Sequence, residues 1–254
     1  MDLRFEAFAW SLQQKKLLLN NIFLRKKRLL IIPARAGSKR IKNKNIKLFQ
    51  NKPVIYYSLN QAKKSKLFKK IHVSTDSKKI KKIVEKLNYK VDFLRPKKLA
   101  GDKVSTESVL RYVVDKFQKK NVFFDEVWSL TPCSPLILKN DLIEASKKLR
   151  KYKNKIVLSV SKYPVPIEWA FIKKKNSLYP LKKNLMKIRS QDFLEKFHDT
   201  GNFVGIPIHF FNLKNIDFNK NYIGYELPKE RSIDIDTMDD FRLAEMIYVG
   251  KKGI

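Results

Sequence analysis

The stretch Ile31–Asn45, IIPARAGSKRIKNKN, ends a short hydrophobic run in a turn crowded with cations. Gly37 permits a close backbone approach, while Ser38, Lys39, Arg40 and Lys44 supply a hydroxyl and positive charge. Unpaired backbone N–H groups in such a turn make a nest for anions, and the charges suit a triphosphate. The spacing is neither the GxxxxGK[ST] of a P-loop nor the GxGxxG of a dinucleotide fold. Taken alone, the stretch reads equally well as a solvated basic loop. Arg35, two residues past the apolar run, emerges at the carboxyl end of a strand.

Near the other terminus, SIDIDTMDDF supplies carboxylates. In strand periodicity Asp234 and Asp236 face one side while Ile233 and Ile235 face the core. Two carboxylates so placed can bind Mg²⁺, which keeps several waters and bridges to phosphate oxygens. The competing assignment is structural. Asp236 or Thr237 caps the last helix, and Asp239 and Asp240 complement its dipole. That account leaves Asp234 without a role. A basic triphosphate loop and a carboxylate pair are together the minimum for metal-assisted nucleotidyl transfer.

The elements that must bring these segments together alternate along the chain. RLLIIPA reads as a buried strand, and KPVIYYSLNQAKKS as a helix with Pro53 in its first turn and Val54, Tyr57, Leu59 and Ala62 toward the core. KKIHVSTD is a second strand, SKKIKKIVEKLN a helix and YKVDFLRP a third strand. STESVLRYVVDKF is a helix capped by Ser105, Thr106 or Ser108, DEVWSLTP a fourth strand, and LKNDLIEASKKLRKY a helix. Such alternation implies right-handed crossovers and a largely parallel sheet, with ligands at the carboxyl ends of the strands. After KIVLSVSKYPVP the period is lost, and about 163–203 reads as an inserted arm. GNFVGIPIHFF returns as a strand, and RSIDIDTMDDFRLAEMIYV closes as a strand and a helix.

Composition sets the outer limits. With 254 residues, 43% hydrophobic and 12% aromatic, one sizeable packed domain is expected, spanning 29–254 after an extension of 28 residues. The extension's apolar segment Leu17–Leu24 is too short to span a bilayer and lacks a signal cleavage site. One cysteine, Cys133, excludes an internal disulfide and fits a reducing cytoplasm; three histidines and one cysteine exclude a zinc site of the usual kind. The net charge of +32 is spread over nearly every predicted helix, without interleaved stacking aromatics, so it reads as compositional.

PARAGSKRIKNKNI followed by NKPVIYYSL resembles the opening of the N-acylneuraminate (sialic acid) cytidylyltransferases and their pseudaminic acid relatives, the enzymes that make CMP-nonulosonic acids. The likeness continues in order through VSTD, FLRPKKLAGD, TPCSPL, RSQD, HDTGNF and SIDIDT. It implies a Rossmann-like α/β nucleotidyltransferase fold, with a mostly parallel central sheet flanked by helices and a small inserted dimerisation arm. It further implies a cytoplasmic homodimer that joins CTP to a nine-carbon 2-keto sugar acid, with Mg²⁺, releasing pyrophosphate. Carried over by position, Arg35, Gly37, Ser38, Lys39, Lys44 and Asn45 hold the CTP phosphates, and Arg95 and Thr106 contact cytosine or ribose. Thr131, Ser134, Arg189 and Gln191 face the sugar acid, Asp234 and Asp236 hold the metal, and Arg35, Lys44 and Asp234 carry the chemistry.

RSQDFLEKFHDTGNF is more like the pseudaminate enzymes, whereas TPCSPL is similar to the sialate and legionaminate QPTSPL with Thr131 in place of glutamine. The sugar acid therefore stays open. Two other readings stand beside this one. A cytidylyltransferase for the eight-carbon acid Kdo shares the opening but usually lacks the Ser38-Lys39 and Lys44-Asn45 pairs. A basic nucleic-acid-binding protein rests on charge alone, with no zinc, RNP or helix-turn-helix signature. Cys133 and His72 read as structural, His198 either as orienting Arg189 or the sugar or as a surface residue, and Trp10 as packing the extension.

Overall fold

A computed structural model describes residues 26–212 and 221–251. The extension through residue 25, with Trp10 and Leu17–Leu24, lies outside the described residues.

Among the described residues six strands form the central sheet. β1 (Arg28–Pro33) is buried along almost its whole length and lies between β4 (Lys70–Ser74) and β5 (Glu126–Leu130), parallel to both. β9 (Phe197–Pro207) runs antiparallel to β5 and to β6 (Ile156–Lys162), and β10 (Tyr222–Glu226) adds a parallel edge to β6. The spatial order is β10-β6-β9-β5-β1-β4. Two small hairpins stand apart: β2 (Leu48–Phe49) with β3 (Lys52–Pro53), and β7 (Phe171–Lys174) with β8 (Ser177–Pro180).

The pleat of β1 explains the layering. Leu30 and Ile32 pack into one core with Trp128 and residues of α1 (Ile55–Ser65), α2 (Lys78–Lys86) and α4 (Lys139–Lys151). Leu29 and Ile31 point the other way, into a second core with Leu110, Val113 and Phe117 of α3 (Thr106–Gln118). A strand covered on both faces needs a continuous apolar run, and LLII supplies it. Tyr57, Leu59 and Ala62 are buried on α1, and Val54 is buried just before it; Pro53 does not enter the first turn as expected but belongs to β3, and the helix begins at Ile55. A third core joins α5 (Met238–Gly250) through Phe241 and Ala244 to Ile41, Phe49, Val54 and Ile235. Gly205 on β9 is required by close approach: a Cβ there would lie 2.7 Å from the buried Trp128 ring.

Three expectations need correction. YKVDFLRP forms no ladder. Its alternation is real, since Val91 is buried and Phe93 stacks 4.4 Å from His72. However, it meets β4 through a side chain: Asp92 accepts from Lys70 Nζ at 2.5 Å and faces His72 Nδ1 at 3.1 Å. SIDID is likewise no strand, and the sheet edge is taken by YIGYE instead. Ile235 does point inward, fully buried, but it packs into the third core above the sheet. The excursion after β6 ends at 196 rather than 203, because Phe197–Asp199 already pair with β6.

Candidate functional site

β1, β4 and β5 end at one edge, and the segments leaving them build a cleft of about 570 Å³. Arg35, Ser38, Lys39, Arg40, Lys44 and Asn45 line one wall, Thr131 and Pro132 another, and Arg95, Leu99, Gly101, Asp102 and Thr106 a third. Asp236 closes the rim. Five cationic side chains face two carboxylates here, which favours a polyanionic ligand. The volume suits a small organic molecule of nucleotide size.

The loop after β1 is braced from behind. Asn45 is buried and donates through Nδ2 to Arg35 O at 2.9 Å, while Ala36 N donates to Asp76 Oδ1 at 3.0 Å. Asn45 thus holds Arg35 in place more than it faces the cleft. Gly37 has an ordinary φ, and a Cβ there would meet nothing within 4 Å, so the protein's own packing does not demand a glycine. The backbone N–H groups of Gly37, Lys39 and Arg40 have no acceptor among the described residues. These features match a backbone open to an incoming anion.

Arg95 is a buried guanidinium. Nη2 donates to Ser74 O at 3.2 Å and Nη1 to Leu99 O at 3.3 Å, while Nε has no partner among the described residues. Burial pushes its pKa down, with Asp76 opposing and Arg35 adding to the fall. Thr106 begins α3 one residue after the cap, which is Ser105, whose Oγ accepts Ser108 N at 3.2 Å. The positive end of this helix therefore opens on the cleft.

The carboxylate segment is tied to the loop from 190 residues away in sequence. Lys44 Nζ donates to Ile235 O at 2.6 Å and to Asp236 Oδ1 at 3.2 Å, and Arg40 Nη2 reaches the same oxygen at 2.8 Å. Asp236 does not cap α5. Thr237 does, accepting Asp240 N at 3.2 Å, and Asp240 returns hydrogen bonds from Thr237 N at 2.7 Å and Asp236 N at 3.1 Å. Asp234 has no hydrogen bond or ion pair among the described residues. Although the residue is exposed, desolvation at its carboxyl and then the neighbouring Asp236 raise its pKa, against the pull of Lys44 and Arg40.

An unpartnered carboxylate beside a second one is a donor set of hard oxygens. Among the described residues no three His, Cys, Asp or Glu side chains converge as a metal-ligand group. Mg²⁺ is suited to that economy, taking one or two carboxylates with waters and phosphate oxygens. The two residues fit it.

Some expected residues stand elsewhere. Ser134 is buried, does not line the cleft, and its Oγ lacks a partner among the described residues. Arg189 is in the arm, exposed and paired with Asp192 at 3.1 and 3.3 Å. Gln191 lines a separate arm cavity of about 350 Å³. His198 Nδ1 lies 3.0 Å from Asp199 O and its ring packs on Tyr163, not on Arg189. Cys133 is buried, and desolvation pushes its thiol up to about 12, so it is no nucleophile.

Other residues went unassigned by sequence reasoning. Asp102 accepts from Arg35 Nη1 at 2.5 Å and from Lys39 Nζ at 2.6 Å. Those hydrogen bonds, Lys39's first, hold its carboxyl below the usual range. Asp141 anchors the end of the 232–236 segment: Arg231 donates to both its oxygens, and Tyr225 Oη and Leu138 N add hydrogen bonds at 3.0 and 2.8 Å. Neither aspartate carries a periodicity signal; only the position of Asp102 in FLRPKKLAGD drew it near the site.

The sequence profile of the cytidylyltransferase family matches residues 29–247, and the chain belongs to that family. It is 34% identical over 223 residues to a pseudaminic acid cytidylyltransferase of Campylobacter jejuni, covering 87% of this chain and 96% of that one. It is also 34% identical over 232 residues to the CMP-N,N'-diacetyllegionaminic acid synthase of Legionella pneumophila, covering 86% and 95%. In fold it resembles a CMP:2-keto-3-deoxy-manno-octonic acid synthetase solved with CTP, at a TM-score of 0.65 and 15% identity over 89% of this chain and 99% of that one.

Proposed function

We propose that this member of the cytidylyltransferase family couples CTP to a nonulosonic acid, giving the CMP-sugar and pyrophosphate for surface glycan synthesis. The observation that carries the reading is the cleft itself. A cation-rich loop with open backbone N–H groups is bonded through Lys44 directly to a segment bearing two carboxylates. The relatives at 34% identity act on pseudaminic and N,N'-diacetyllegionaminic acids by name, which supports the nine-carbon class over the Kdo reading.

In this reading the triphosphate lies along Gly37–Arg40, with Arg35, Ser38, Lys39 and Lys44 on its oxygens and Arg95 and Thr106 toward cytosine and ribose. The sugar's anomeric hydroxyl attacks the α-phosphorus, the bond to the β-phosphate oxygen breaks, and pyrophosphate leaves as the hydroxyl proton is released. The cations, fixed in place before the reaction, stabilise charge as it moves toward the leaving group. Asp234 and Asp236 would hold Mg²⁺, which when bound neutralises triphosphate charge. Thr131 sits where the acid enters.

The arm is assigned to pairing with a second copy. Phe171, Ile172, Leu178, Tyr179 and Leu181 are all exposed on or beside its hairpin, an apolar patch larger than isolated surface residues explain. In such a homodimer Arg189 and Gln191 would serve the partner's cleft, which accounts for their distance from their own. A reaction drawing on CTP, and a sequence with only one cysteine, suit the cytoplasm.

Pyrophosphate release from CTP or ATP, measured with pseudaminic, legionaminic, N-acetylneuraminic and Kdo acids with and without Mg²⁺, tests the reading. Turnover is expected only with CTP, a nine-carbon acid and the metal together. Equal use of ATP, turnover with Kdo alone, or no turnover with any acid would reject it.

A further inference from the structure

We infer that Gly201 positions Asp234, and that its missing side chain is what leaves the Asp234 carboxylate its place beside Asp236, which lines the cleft. The inference rests on the proposed role of Asp234. Gly201 has φ of +65°, the left-handed region that other residues rarely adopt. A Cβ built there would lie 3.1 Å from Asp234 Oδ2 and 3.4 Å from its Cγ. The glycine therefore answers two demands, one of the backbone and one of a neighbour's side chain.

The backbone around it has little freedom to yield. Gly201 N donates to Asp199 Oδ1 at 2.8 Å, and its carbonyl accepts from Thr131 Oγ1. Thr131 N is bonded in turn to Asn202 O at 2.8 Å, so the strand is stitched to the cleft wall. On the other side the β6–β9 register shifts between Leu158 and Val160. Buried hydrogen bonds from Thr200 Oγ1 to Ser159 Oγ at 2.8 Å and from Phe203 N to Ser159 Oγ at 3.0 Å lock that irregularity. A bulge beside a site commonly re-aims a side chain. Here it turns a bare backbone toward Asp234, which has no hydrogen bond among the described residues to resist displacement.

A β-carbon at 201 is thus accommodated by moving Asp234, not the strand. The alternative is that Gly201 serves backbone conformation alone. The two separate in a thermal double-mutant cycle of Gly201→Ala, made in the natural chain and in Asp234→Ala. Gly201→Ala should lower Tm in the natural chain, and Asp234→Ala should recover at least about 2 °C of that loss. An equal loss in both backgrounds, including failure of both to fold, overturns the inference. In turnover assays Gly201→Ala should raise the Mg²⁺ needed for half-maximal rate roughly tenfold while CTP KM stays within about twofold. A rise in CTP KM alone also counts against it. An inactive natural chain would reject the proposed function while leaving the thermal cycle readable.

Discussion

Replacing Asp234 with asparagine separates the metal role from every structural one. Asparagine is nearly isosteric, keeps one carbonyl oxygen and removes a full charge. Because Asp234 has no partner among the described residues, the change breaks no hydrogen bond or ion pair there. If the carboxylate helps hold Mg²⁺, turnover should fall at least about 100-fold, close to 2.7 kcal/mol of transition-state stabilisation. Stability should move the other way. The folded carboxyl has a raised pKa, from desolvation first and Asp236 second. Between the unfolded and folded values the native state binds more protons, so the natural chain loses stability as pH rises through that window. At neutral pH the full cost is present, and Asp234→Asn should melt slightly higher. The advantage should fade as pH falls below the folded value. Asp236→Asn is the contrast, since it discards the pairs with Arg40 at 2.8 Å and Lys44 at 3.2 Å. It should lose turnover without gaining Tm. Pyrophosphate release across a Mg²⁺ titration, with melts from pH 4 to 8 (about the carboxylate range upward), provides the readings. Near-normal turnover at saturating Mg²⁺, or a clear drop in Tm for Asp234→Asn, refutes the assignment.

Three further outcomes follow from named contacts. Asp102→Asn should lower the CTP concentration for half-saturation by roughly threefold if Asp102, paired with Arg35 and Lys39 across an exposed rim, competes with phosphate for them as the proposed binding mode requires; weaker CTP binding by calorimetry would contradict the competition. Burial alone would raise the Asp92 carboxyl, yet hydrogen bonds from His72 and Lys70 hold it down at about 2. Its stabilisation is therefore present above the unfolded value near 3.9 and lost as pH falls toward the folded one, about 1–2 kcal/mol after solvent screening. Asp92→Asn should flatten that acid limb in melts, and an unchanged limb would count against the assignment. Leu178→Glu with Ile172→Glu should shift sedimentation from dimer to monomer without lowering Tm by more than about 2 °C, because both side chains are exposed in the single chain; a natural chain that already sediments as a monomer defeats the arm proposal.

The layers of the fold were legible because they rest on periodicity. Leu29–Ile32 alternate between two cores, and the next helix divides its buried side chains likewise, Tyr57 to the third core and Leu59 and Ala62 to the first. What periodicity cannot specify is the partner of an extended segment. SIDID and YIGYE both alternate, and only the second joins a ladder. YKVDFLRP alternates too, but bridges to β4 through the carboxylate of Asp92. Local pattern fixes which side chains point inward; which edge is free depends on the whole sheet.

The site was legible to a different extent, for a related reason. Arg35, Lys44 and Asp236 belong to motifs of distinctive composition, and the fold brings all three to one cleft. Gly201, Asp102 and Asp141 act through contacts across the chain, and no spacing announces such contacts. The segment carrying the carboxylates shows how much depends on them. It has no ladder of its own, and its hold comes from Arg231 on Asp141, buried Ile235, and Lys44 on the Ile235 carbonyl. Acids clustered before a helix suggest that all of them serve its cap, and here the cap is a closed exchange between Thr237 and Asp240. That exchange also takes up Asp236 N. The helix start thereby fixes the backbone of Asp236 while leaving its carboxylate to the cleft. Capping therefore does not compete with the proposed metal role of SIDIDTMDD: residues 237 and 240 make the cap without using the carboxylates of Asp234 and Asp236.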